Sequence, residues 1–420
     1  MKRDRNIRPM IAILALLGAA GLGAAQAADW PAWRGANRDG KSPDTRISRA
    51  WPAGGPRLAW TRSGMGSGYA SVSVVGDRIF TAGDVDGTSR ILALDRATGR
   101  PLWSSELGKA GAPGWGGFAG VRGTPTVDED LVFAIGQYGE IAAYEAATGK
   151  EVWRKHFEDD FGGKRPEWGF SESPLVDGDQ VVCTPGGAKG ALVALDKRTG
   201  TLKWQSVAFT DAAQYSSIVK AEIHGKAQYV QLTQESVVGI SPATGALLWR
   251  AERRGKTAVI PTPVVSGNHV YVTSGYGVGC NLFEISSADG AFSAREVYAN
   301  KLVKNHHGGV ILVDGNIYGH SDGAGWVCQD LLTGEEVWRE KEAADKGSCV
   351  YAAGLLVLRE EKKGDSDIVL IDASPRGYTE RGRFKQPDQS GKEAWPHPVI
   401  VDGRLYVRDQ DLLLCYDVGG

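Results

Sequence analysis

Short apolar runs broken by turn residues fill almost the whole chain, and the runs are too short for helices. Residues 124–157 show the unit. TPTVDE, LVFAIG, IAAYE and EVWRKHF each carry the strand signal, separated by polar and glycine-containing turns. The first turn recurs as VDED at 127, VDGD at 176, VDGN at 313 and VDGR at 401. The third recurs as T-G, where glycine supplies the positive φ that a tight hairpin needs. The pattern predicts an all-β chain of four-stranded units.

The units repeat. ALDRATGRPLW at 93–103, AYEAATGKEVW at 143–153, ALDKRTGTLKW at 194–204, GISPATGALLW at 239–249 and CQDLLTGEEVW at 328–338 share the frame A-x-D-x-x-T-G-x-x-x-W. Weaker copies lie at 284–294 and 370–380, and an eighth has its third position at Asp417. A period of 42 to 51 residues with four strands per unit predicts propeller blades. The last unit, from HPVIVDG to LLLCYDV, lacks its fourth strand. PRLAWTRS at 56–63 is a fourth strand without a blade, so the two pair and close an eight-bladed ring. Closure leaves no open sheet edge.

Tryptophan changes the picture next. The frame tryptophan stacks between blades, where an aromatic ring buries roughly 150–250 Å². Trp115, Trp168 and Trp395 fall outside that slot, as do the aromatics Phe118 and Phe170. The 107–120 and 156–170 connections that carry most of them are longer than the rest and rich in glycine.

The first 27 residues read differently. A basic head (Lys2, Arg3, Arg5, Arg8), an apolar run from Met10 and a small-residue site near Ala27 predict a cleavable export signal. Residues 28–420 then form a single propeller domain, periplasmic or secreted, and the absence of a cysteine near the cleavage site argues against a lipoprotein. The whole chain carries a formal −2. Residues 1–27 hold four cations and one anion, so the remainder carries −5. There is no basic stripe for nucleic acid and no later span for a membrane, and a monomer is expected. Of five cysteines without a CxxC, Cys183, Cys328 and Cys415 lie in apolar runs and read as buried thiols, and a disulfide stays open in an exported protein.

The repeated frame resembles the tryptophan-docking motif of the pyrroloquinoline quinone (PQQ)-like repeat family, which includes PQQ dehydrogenase propellers and the assembly factor BamB. DWPAWRGANRDGKSPDT at 29–45 is similar to the start of such proteins. The resemblance runs from about Asp29 to the end. It implies the eight-bladed fold and, as candidate functions, quinoprotein alcohol or sugar dehydrogenase or a BamB-like scaffold with an envelope-protein partner. The vicinal cysteine pair of the dehydrogenases is missing and their calcium-binding set cannot be placed, so tight PQQ binding is not expected.

In a propeller the approaches to the innermost strands and the turns between second and third strands surround the channel mouth, where ligands bind. That places His306 and His307 (of NHHGG), His397, Arg122 and Glu172 at the mouth, with Trp168 on a long loop and Tyr276, His320 and Arg408 in the turns. Aromatics beside these polar groups suit a sugar ring, from a carbohydrate, or a planar cofactor. No metal site is expected. Alternation along a strand sends His306 and His307 to opposite sides. Neither His307 nor His397 belongs to the stacking slot, so replacing both is expected to cost no more than about 0.5 kcal/mol.

Overall fold

The computed structural model describes Met1 and residues 29–420; the predicted export signal lies, apart from Met1, outside the described residues. Eight four-stranded antiparallel sheets stand in sequence order around a ring. Blade 1, for example, comprises Ser73–Val75, Arg78–Val85, Thr88–Asp95 and Pro101–Lys109, and blade 2 Thr126–Asp128, Leu131–Ile135, Glu140–Glu145 and Glu151–His156. Blade 8 takes three strands from the C-terminus and its outer strand, Arg57–Arg62, from the N-terminus; this strand pairs with Leu412–Asp417. The predicted closure is the one observed.

The frame residues act between blades. A Cβ on Gly149 would collide with the Trp103 ring, one on Gly200 with Trp153, and one on Gly245 with Trp204. Each tryptophan thus lies flat on the turn glycine of the next blade. Three of them also donate their indole N–H to that blade's backbone: Trp103 to Ala146 O, Trp153 to Lys197 O and Trp204 to Pro242 O. In blade 5, where the frame is weak, Tyr298 takes this place. Its ring covers Gly334 and its hydroxyl donates to Leu331 O. Each pairing of third and outer strands is interrupted by a one-residue register shift beside the stacking position, as between Ala143 and Tyr144. Such bulges strengthen the local twist.

One element was not foreseen. Residues 30–47 run along the inner strands across the central channel, tying blade to blade. Trp30 pairs with Val74 of blade 1, and Pro31 O accepts from Val127 N of blade 2. Arg38 donates to Ser173 O and Pro174 O at blade 3, Trp33 to Thr262 at blade 5, and Arg34 to Val310 O of blade 6. Lys41 bridges to Tyr351 of blade 7, and Ile47 to Gly419 beside blade 8. The five cysteines are buried free thiols. Among the described residues no helix is long and apolar enough to cross a membrane.

Candidate functional site

The channel mouth opens into a cavity of about 320 Å³. Its rim and walls come from the approaches to seven inner strands, and its base includes Trp33 and Arg34 of the 30–47 segment. Aromatic rings dominate. Trp395 stacks between Tyr69 (centroids 4.4 Å apart), Phe118 (5.1 Å) and His307 (4.2 Å). Across the opening, Trp168 packs against Trp115 and Tyr215, each 6.0 Å away. Trp115 is 71% exposed and forms the outer lip. Phe170, by contrast, is buried edge-on against Phe157 and does not reach the cavity.

Six of the nine sequence candidates line the cavity: His306, His307, His397, Arg122, Trp168 and Tyr276. His306 and His307 do not separate as alternation predicts. They precede the strand Val310–Val313 rather than belonging to it, and the irregular backbone there stacks their rings with centroids 3.6 Å apart. A chain of polar groups fixes His306. The Lys346 ammonium, which can only donate, lies 2.7 Å from Nδ1, so the imidazole proton sits on Nε2 and points to Tyr276 Oη at 2.8 Å. Lys346 is anchored in turn by Asp322 at 3.1 Å. The Tyr276 hydroxyl proton is left free to face the cavity. Tyr276 holds this position with a left-handed backbone, φ 57°, a strained choice for an aromatic residue. His307 Nδ1 faces Glu361, which also accepts from the Trp395 indole. Burial pushes Glu361 up, but His307, Lys346 and Trp395 outweigh it and hold it below the usual range.

Three candidates sit elsewhere. Glu172 lies between Ser171 and Ser173, which line the cavity, and turns the other way. It accepts from Thr184 N (2.6 Å) and Thr184 Oγ1 (3.1 Å), and burial pushes it up to about 8. His320 packs edge-on against Trp326 in the blade interior. Arg408 is a fully enclosed cross-blade clamp, donating to Ala70 O, Ala82 O, Thr81 Oγ1, Met65 O and Gln410 O. These positions read as mouth residues in sequence because nothing local separates a cavity-facing polar group from one spanning two blades. Conversely, Trp33, Arg34, Lys346 and Glu361 were missed. The second tryptophan of WPAWRG, which has no stacking frame, was the available signal.

His397 is the residue whose expected tolerance changes most. It is 6% exposed, its ring lies 4.4 Å from Trp33, and its Nε2 bonds to His307 O at 2.9 Å. His397→Ala is therefore expected to destabilise the protein by about 2–3 kcal/mol, from the void and the orphaned carbonyl together. Urea melts check this, and an unchanged midpoint would restore the earlier expectation.

Acid sensitivity follows from the same burial. Desolvation lowers His306 to about 2, His397 to about 3 and His320 to about 4, with neighbouring charges adding to the first two. Below pH about 6.5 the unfolded imidazoles take up protons while the folded ones do not. Their contribution to stability is complete above that pH and is lost as pH falls through about 4 and then 3. The melting temperature should drop from pH 6.5 to pH 4, with a shallower slope in His320→Gln. Equal slopes would show that carboxylates elsewhere govern acid unfolding.

A family model described as outer membrane protein assembly factor BamB matches residues 87–340, more than half of the chain. BamB of Xanthomonas campestris is 28% identical over 188 residues, 44% of this chain and 41% of that protein, so the match spans less than half of that relative. BamB of Shewanella oneidensis is 23% identical over 303 residues, 68% of each chain. Among solved structures, the quinohemoprotein alcohol dehydrogenase of Comamonas testosteroni superimposes with a TM-score of 0.64 at 13% identity, covering 95% of this chain and 82% of that one, a likeness of fold. The chain belongs to the PQQ-repeat, BamB-like family of β-propellers.

Proposed function

We propose that this chain is an exported binding propeller that captures a ring-shaped small molecule at its channel mouth. One observation carries the reading. Trp33, Trp115, Trp168 and Trp395 take no part in blade stacking and instead surround a cavity of about 320 Å³, enough for a one- or two-ring ligand. Aromatic faces give a ring apolar contact, while the Tyr276 hydroxyl and neighbouring serines orient it.

The resemblance to PQQ dehydrogenases raises a quinone cofactor. Calcium-held PQQ does not fit this lining. No carboxylate borders the cavity, and among the described residues no group of three or more His, Cys, Asp or Glu side chains could hold a metal. A protein partner is the second reading, favoured by the names of the relatives and by the exposed Trp115 lip.

Tryptophan fluorescence tests the proposal. A panel of monocyclic and bicyclic ligands, with PQQ plus calcium included, should yield saturable quenching that Trp395→Ala abolishes. Quenching that persists in Trp395→Ala would move the site away from the cavity. Calcium-dependent dye reduction with PQQ would replace the binding reading with a dehydrogenase.

A further inference from the structure

We infer that the ring ligand of this cavity carries a carboxylate and that Arg122 is its receptor. The inference rests on the binding reading above and names the ligand's chemistry. It begins from charge. The side chains bordering the cavity include two guanidiniums, Arg34 and Arg122, and no aspartate or glutamate. This is a cationic pocket in a chain whose formal charge is −2.

Arg122 is built as a receptor. Its guanidinium is held over the Tyr69 ring, 5.5 Å from the centroid, and two of its nitrogens donate to Phe118 O and Gly120 O. That leaves N–H groups unspent. No carboxylate lies within 4 Å of it among the described residues, whereas Arg46, Arg198, Arg381 and Arg383 at the surface are each paired with one. Burial disfavours its charge. A half-buried guanidinium with no carboxylate partner and N–H groups facing the cavity is open to a planar carboxylate, which meets the fork with two parallel hydrogen bonds. Beneath it, Arg34 is fully buried, and its Nε and Nη1 have no hydrogen-bond partner among the described residues. It adds positive potential from the base. Behind the wall, Lys346 is paired with Asp322 and Glu361 with His307, so the charge facing the cavity is that of the two guanidiniums.

The hydrogen-bonding inventory agrees. A neutral sugar presents many hydroxyl protons and needs strong acceptors, the task of Asp, Glu, Asn and Gln side chains. None borders this cavity. Arginine, tyrosine and hydroxyl groups do, and arginine only donates. The wall is matched to an acceptor-rich anion. A sugar acid and an aromatic acid share that chemistry, and the test separates them.

The protein is titrated with a galacturonate trimer, 4-hydroxybenzoate and a neutral galactose trimer, each trimer entering the cavity by one or two of its rings, following tryptophan fluorescence. At least one acid should bind about tenfold or more tightly than the neutral trimer. Raising NaCl from roughly 0.05 to 0.5 M should weaken the acid and leave any neutral binding unchanged. Arg122→Gln should lose at least about tenfold in acid affinity. Arg122→Lys, which keeps the charge and loses the fork, should lie between. The salt titration needs no variant, so it decides the carboxylate even if Arg122→Gln unfolds, and Arg122→Lys then decides the receptor: unchanged acid affinity in it would overturn Arg122. Preference for the trimer identifies a sugar acid, and preference for 4-hydroxybenzoate an aromatic one; either supports the inference. Neutral-trimer binding that matches the acids and vanishes in Trp395→Ala would overturn the carboxylate while keeping the cavity. Binding of none of the three would remove the inference and weaken the binding reading with it.

Discussion

A chain lacking residues 29–62 will not melt as one cooperative unit. The deletion removes the outer strand of blade 8, Arg57–Arg62, and bares the edge of Leu412–Asp417, a row of unpaired backbone groups open to other chains. It also removes Trp30, Ile47 and Trp51 from the core cluster joining blades 1, 7 and 8. Each large apolar side chain buried there contributes about 1.5–3 kcal/mol, before the lost strand is considered. A domain stable by about 5–15 kcal/mol cannot absorb that. The expected result is a broad or absent calorimetric transition with aggregation. A sharp transition at the wild-type temperature would show that the ring closes without its N-terminal strand.

Arg408→Met should be the most damaging single substitution. The Arg408 side chain is 2% exposed and clamps blade 8 to blade 1, and its donors serve Ala70, Ala82, Met65 and Gln410 carbonyls and the Thr81 hydroxyl. Burial lowers its pKa to about 10, so the charge persists at neutral pH. Methionine fills much of the volume but donates nothing. Several buried acceptors then lose their partners at about 1–3 kcal/mol each. A loss of at least about 4 kcal/mol is expected, or no soluble protein. If Arg408→Met melted within a few degrees of wild type, water or neighbouring donors would have to satisfy those carbonyls. As Arg408 does not border the cavity, any folded fraction should bind ligand normally.

The fold was legible because its determinants are local. A T-G turn and a tryptophan four residues later specify one hairpin and one inter-blade contact, and repetition turns that into a ring. Tyr298 was invisible as a stacking residue because its slot lies beyond the weak frame at 284–294, on the far end of a long hairpin, Gly279–Ala288 and Ala291–Asn300. The site was legible only as a neighbourhood. Its residues converge from seven blades, and sequence gives which loops meet, not which way each side chain turns. His306 and His307 show the limit: strand alternation does not apply where the backbone leaves the strand. Glu172, His320 and Arg408 show the other side of it, since a polar residue near a mouth serves a neighbouring blade as readily as a ligand.

The N-terminal segment that crosses the channel bears on how the protein is made. Arg46 and Asp402, which form an ion pair, are 356 residues apart in sequence. Contacts of such separation form late and slowly. Arg57–Arg62 must therefore wait, unpaired, while the blades between fold, a stage at which a solitary strand can join another molecule. Trp33 and Arg34 reach the cavity from the same waiting segment. The pocket cannot exist in a half-finished ring, so the appearance of ligand binding during refolding would clock the final closure step itself.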